Sequence, residues 1–215
     1  MNNILIILLL VVSSVNAQLI TNNSLSPEDL IKNVLVGSGI DISNITFTGN
    51  AKAIGQFVGV NSNIGVDDGV ILSTGTVLDL VLLTGEKNGP VGPNNNGGAG
   101  SIWNEDGDND LEVLVNKLTF DAAVLEFDFI PQGDTVEFEY VFASEEYLEE
   151  VDNSQFNDVF AFFISGPGID DVVNLAVVPG TNTEISVGTI NNVNNSNFYI
   201  DNGTGNSSPQ NNDST

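Results

Sequence analysis

The sequence predicts a mostly β fold, an antiparallel two-sheet sandwich of jelly-roll type with one or two short helices. Three observations predict it. Many short runs of β-branched and aromatic residues are separated by turns rich in Gly, Pro and Asn. The runs 123–130 and 134–142 alternate apolar with acidic residues, the pattern of a strand with one covered and one wet face. The run 158–166 is apolar on both faces, as a central strand between layers is. No internal repeat is visible.

The elements follow in order. Ile4 to Val12 is an unbroken apolar run, closed by small residues at Val15 and Ala17. That is the form of a cleaved export signal over 1–17, with cutting before Gln18. The run is too short for a membrane span, which needs about 20 residues. No second long apolar run follows, so the mature chain is not expected to insert in a membrane. Residues 18–25 read as a polar lead-in. Ser26-Pro27-Glu28-Asp29 starts a helix, with a Ser cap, Pro in the first turn and acids at the positive end of the dipole. Leu30, Ile31, Val34 and Leu35 continue it at helical spacing for two or three turns, and Gly37 and Gly39 stop it.

Strands are expected at 40–48, 51–58 and 70–74, while 76–83 fits either strand or helix. Residues 85–101 form a long Gly, Pro and Asn loop, and 110–118 a short helix. Pro131-Gln132-Gly133 should join 123–130 and 134–142 into a hairpin. Short strands at 174–180 and 198–200 complete the set. The aromatic residues Phe127, Phe129, Phe138, Tyr140, Phe142 and Phe160 to Phe163 should fill the inner faces. The domain then spans 26–202, and the polar 203–215 is a disordered tail.

Composition excludes much. The 215 residues hold 4 Lys, no Arg, 29 acids, no His and no Cys, for a net charge of −25. Hydrolases with a His base, zinc sites on His or Cys, disulfides, haem and Cys-bound iron–sulfur clusters are all out. Four scattered lysines cannot follow a phosphate track, so no nucleic-acid partner is expected. Charge docking on an anionic membrane fails for the same reason. An exported chain without disulfides must hold together by core burial, with bound cations as the remaining aid.

Sixteen of the acids lie between Glu105 and Asp152. In the first cluster Asp106, Asp108 and Asp110 alternate around a turn, and calcium takes about six to eight oxygens from such loops. An EF-hand is rejected, because Leu111 stands where Gly is needed and Lys117 where the last Glu belongs. Two readings stay open: a non-EF calcium turn, or a solvated loop that caps the next helix. The second cluster, 142–158, crowds Glu145, Glu146, Glu149, Glu150, Asp152 and Asp158 into one connection, with Asn157 as a neutral ligand. A divalent ion would relieve their repulsion; an exposed solubilising loop is the alternative. The metal candidates are therefore Asp106, Asp108, Asp110, Glu145, Glu146, Asp152 and Asp158, with calcium as the ion.

Paired carboxylates also raise a glycan hydrolase. Glu126-Phe127-Asp128 begins a Glu-x-Asp-x-x-Glu pattern, but Pro131 occupies the second Glu position. The single Trp103 furnishes a sugar-stacking cleft poorly and reads as a partial core anchor. The Gly-rich loop lacks the Gly-Lys-Ser/Thr of a phosphate loop.

Several runs together resemble one family. They are PEDLIKNVLVGSGIDISNITFTG from Pro27, GVILSTG at 69–75, DAAVLEFDFIPQGDTVEFEYVFASEEY at 121–147, FNDVFAFFISGPG at 156–168 and NLAVVPGTNT at 174–183. Over 26–202 the chain is similar to the choice-of-anchor L domain, and FASEEY followed by FNDVFAFFISGPG is the specific pairing. The resemblance implies an exported bacterial surface module that precedes a C-terminal sorting or anchoring signal. It implies surface display or adhesion and names no catalytic residue. Family members continue past the FYIDN-like strand at 198–202, so the expectation is a fragment, or a sheet with an open edge. The expected function is non-enzymatic adhesion or matrix contact, calcium-assisted, with a surface glycan or protein as partner. The alternatives are a carboxylate glycan hydrolase or glycan binder, and a structural spacer. The sequence does not set the oligomeric state.

Overall fold

The computed structural model describes residues 19–36, 40–59, 64–78, 103–144, 146–147, 151 and 157–200. The leader at 1–17, the loop at 85–101, most of the 76–83 run and the tail from 203 lie outside the described residues. The order is β1 (Ile20–Asn22), α1 (Pro27–Leu30) running into a π-helical turn (Ile31–Leu35), β2 (Asp41–Thr48), β3 (Ile54–Val58), β4 (Asp68–Leu72), α2 (Asn109–Val115), β5 (Val124–Ile130), β6 (Val159–Phe160), β7 (Phe163–Ile164), β8 (Val173–Asn174) and β9 (Ile185–Ser186), closed by a 3-10 turn at Ser196–Phe198. Among the described residues the protein is mostly β, every ladder is antiparallel, and two short α-helices accompany the strands, consistent with a β-sandwich.

The helix start forms as its residues dictate. Ser26 stays extended and its Oγ accepts from Asp29 N at 3.1 Å, answering one of the first-turn donors. Lys32 pairs with Glu28 at 2.6 Å, an exposed contact of small value. Leu30 and Ile31 are fully buried, and the elements they belong to pack on β2, β3 and β4. The lead-in supplies a strand that the sequence reading did not find: Ile20, Thr21 and Asn22 pair with Val58, Phe57 and Gln56.

β2 lies antiparallel to β5, from Asp41 opposite Ile130 to Thr48 opposite Val124. The register shifts between Ser43 and Thr46, where Asn44 takes a left-handed φ of 53°. Leu125, Phe127 and Phe129 turn inward while Glu126 and Asp128 face water, as the alternation predicts. The wet face is furnished from across the ladder: Asn44 Nδ2 donates to Asp128 Oδ2 at 2.6 Å, and Thr46 Oγ1 to Glu126 Oε2 at 3.3 Å.

The expected hairpin between 123–130 and 134–142 is corrected here. No ladder is assigned to 134–142, and β5 takes β2 as its partner. Phe138 instead stacks edge-on against Phe162 at 4.7 Å, and Tyr140 lies 5.1 Å from Phe160. A step of two residues forward on one segment is matched by two back on the other, so the two segments run antiparallel. Phe127, Phe129, Val136 and Phe138 line a common cavity of about 130 Å³. The chain after Pro131 has thus crossed to a different neighbour.

The run 158–166 is also split. Its first half pairs with β9 and its second with β8. Between those partners the chain makes an excursion closed by a bridge from Val177 to Glu184. Asn174 stitches the break: its Oδ1 accepts from Phe162 N and Ala176 N, both at 3.0 Å. The strand expected at 198–200 is corrected as well, since Ser196–Phe198 is a 3-10 turn entered through Asn195 at φ 48°. The deepest burial belongs to aliphatic residues rather than to the aromatic set. Ala176, Val178 and Ile185 form a core against which Phe142, Phe160 and Phe162 pack half-buried, and Tyr140 remains 44 % exposed.

Candidate functional site

The first acidic cluster is a self-capped clasp. Asp108 caps α2, its Oδ1 accepting from Asp110 N and Leu111 N at 3.0 Å each. Asp106 bridges Phe120 through the backbone and stays exposed, as does Asp110. Thr119 closes the other side: Asp108 N donates to its Oγ1 at 2.9 Å, and its own N–H donates to Glu112 Oε1 at 3.2 Å. Gly107 lies against Thr119 so closely that a Cβ would collide with the Thr119 carbonyl oxygen and Oγ1. Asp121, left-handed at φ 53°, accepts from Glu105 N at 2.8 Å and from Trp103 N at 3.2 Å.

The clasp carries one more group of side chains. The turn after β2 places Asn50 and Lys52 beside residues 103–105. Asn50 Nδ2 donates to Glu105 Oε1 at 2.9 Å. Lys52 Nζ stands 5.7 Å from the centre of the Trp103 ring. Gly49 makes this approach feasible, because at φ +130° its missing Cβ leaves room for the Ala122 carbonyl oxygen. The indole Nε1 of Trp103 is closed to solvent and has no hydrogen-bond partner.

The second cluster is a polar corner. Ser144 Oγ donates to Asp158 Oδ2 at 2.7 Å and accepts from Glu146 N at 3.0 Å. Asp158 O accepts from Val187 N at 3.1 Å, and Asn157 Oδ1 from Gly188 N at 2.8 Å. Tyr147 is buried, donates to Ile190 O at 2.7 Å and packs its ring 5.1 Å from that of Tyr199. Burial pushes the Asp158 carboxyl above its ordinary range, and the Ser144 hydroxyl opposes that rise. Burial, then Tyr199 and Asp158, push the Tyr147 phenol up. Beneath the corner Asn191, 1 % exposed, donates to Val187 O at 2.9 Å and accepts from Val193 N and Asn194 N. Both ends of the acidic connection are therefore fixed on 187–199.

Of the expected ligands, Glu145 and Asp152 lie outside the described residues. At the Ser144 corner Asp158 binds through its carboxylate and Glu146 through its backbone N–H; Asp106, Asp108 and Asp110 sit in the clasp. Among the described residues no three or more carboxylates gather as a metal-holding group. Sequence reasoning missed Ser144 and Tyr147, whose partners Asp158 and Ile190 stand 14 and 43 residues away, the locally bonded Asn191, and the neighbours of Trp103.

Fold and site together define an acidic, mostly β module whose polar residues act by hydrogen bonding. The chain belongs to the choice-of-anchor L domain family, whose model matches residues 17–215. Neither a curated protein nor a solved structure matches it. The family is one of exported cell-surface modules and not of known enzymes. Among the described residues no helix is long and apolar enough to cross a membrane.

Proposed function

We propose that this protein is a non-enzymatic surface module that makes adhesive or matrix contact with a surface glycan or protein outside the cell. The observation that carries the reading is membership of the choice-of-anchor L family along residues 17–215. The chemistry of the two clusters supports it. Their carboxylates and hydroxyls serve as caps and struts, as in the pairs Asp108 with α2 and Ser144 with Asp158. Calcium enters as a support of loop order rather than as a reagent. Its test is a thermal melt in calcium against chelator, where an unchanged midpoint removes it.

The test of the function is binding of the secreted chain to immobilised glycans, matrix proteins and whole cells, run beside a polysaccharide turnover panel. Saturable binding without turnover is the expected result. Silence on every surface would leave a spacer, and turnover would make the protein an enzyme.

A further inference from the structure

We propose that the cavity lined by the end of the π-helical turn, β5 and residues 136–138 is a binding site for a quaternary ammonium group. The site goes beyond the surface-contact reading and does not depend on it.

Protein interiors hold few voids larger than a water molecule, and this cavity measures about 130 Å³. An apolar cavity of about 150 Å³ is enough to take benzene. Among the described residues that line it, Phe127, Phe129 and Phe138 supply phenyl rings, four are aliphatic, and the eighth is Glu137. The three phenylalanines, with Leu35, Val36 and Ile40, are only half-buried. Solvent reaches the site along Val136, 37 % exposed, and the exposed Glu137. The walls are held from outside. Val36 N donates to Ile31 O at 3.1 Å across the π-helical turn, and Ile31 is fully buried. Phe129 stands opposite Ile42 in the β2–β5 ladder, and Phe138 packs against Phe162. Turns of the π type recur at functional sites.

The lining selects its ligand by elimination. Calcium takes about six to eight oxygens, and the lining offers one side-chain carboxylate. A sugar or a primary ammonium brings hydroxyl or N–H donors that phenyl and aliphatic walls leave unanswered. An anion is repelled by Glu137 and by a chain of net charge −25. A quaternary ammonium has no donor to satisfy. It carries a skin of methyl groups that gains from burial, and a positive charge that phenyl faces attract. Phe127 and Phe129 stand 6.1 Å apart with planes inclined by 50°, two walls of an aromatic cage to which Phe138 adds a third. Glu137 brings a balancing carboxylate to the mouth. Fixed walls keep the ordering cost of binding low.

The experiment titrates the full chain, by calorimetry, with choline and with its neutral isostere, in which a tert-butyl group replaces the trimethylammonium. Choline should bind saturably and about tenfold more tightly than the isostere. Phe129→Leu keeps an apolar side chain but removes a ring, and should weaken choline about threefold or more while sparing the isostere. Glu137→Gln, an exposed change outside any ladder, should weaken choline by a similar factor and carries the test should Phe129→Leu fail to fold. Phosphatidylcholine vesicles run alongside show the source. Sedimentation of the chain with them assigns the group to a lipid headgroup, and choline binding without it assigns a free ammonium compound; either keeps the site. No binding of choline, equal affinity for the isostere, or choline binding untouched by both substitutions overturns it. Binding to glycans, matrix proteins and cells is read separately and stands or falls on its own.

Discussion

Asp158 sits where the acidic connection returns to the core, and its surroundings work against its charge. Burial raises its pKa, while the hydroxyl of Ser144 at 2.7 Å lowers it by less. With the folded pKa above the unfolded one, the native state binds more protons than the unfolded chain only between those two values. The associated stability is present below the ordinary aspartate value of about 3.9 and is lost as pH rises through the elevated value. Asp158→Asn keeps an oxygen that accepts from Ser144 and removes the charge. Its melting midpoint in chelator should exceed that of the wild type at neutral pH, and the acid-range slope should flatten. A lower midpoint at neutral pH would show that the charge itself is required. The acid density of 142–158 pointed to Glu146 and Asp158. Ser144 and Tyr147 were not legible, because a hydroxyl carries no sequence mark of a partner 14 or 43 residues away, as Asp158 is from Ser144 and Ile190 from Tyr147.

At the scale of elements, local chemistry was read well and pairing was not. Helix starts are decided by near neighbours, so Ser26 and Asp108 cap the helices that the sequence placed behind them. Asp108→Ala should therefore cost about 1 kcal/mol, the usual worth of an N-cap. Chemical denaturation in calcium and in chelator measures it. Equal losses are expected if capping is the whole role of Asp108; a loss confined to calcium would give it to a metal. The alternation of 134–142 was equally clear, yet it named no partner. A period of two records which face is covered and is the same whichever strand lies alongside. The segment after Pro131 took its contacts from Phe160 and Phe162, and β5 took β2. Phe198 to Ile200 looked like a strand by composition, but Asn195 turned the chain first.

Across the whole molecule, charge opposes compactness. With 29 acids against 4 lysines, the folded chain brings like charges together that the unfolded chain keeps apart. Added sodium chloride should raise the melting midpoint as the screening length falls to about 10 Å at 0.1 M. Each 1 kcal/mol of relieved repulsion corresponds to about 2–4 °C for a chain of this size. A midpoint that ignores salt would mean that the acids are already neutralised within the fold. The balancing term is apolar burial, and it falls chiefly on aliphatic residues such as Leu30, Ile31, Val77 and Val178.

By itself the sequence determined the fold class, the helix caps, the wet face of β5, the excluded chemistries and the family resemblance. All of these depend on composition or on residues a few positions apart. Only the tertiary structure decided which strands neighbour each other, which aromatics stay half-exposed, and which polar atoms meet at Ser144 and around Trp103. Those outcomes depend on contacts between residues tens of positions apart. Such contacts are selected by the packing of the whole chain, and no local pattern encodes them.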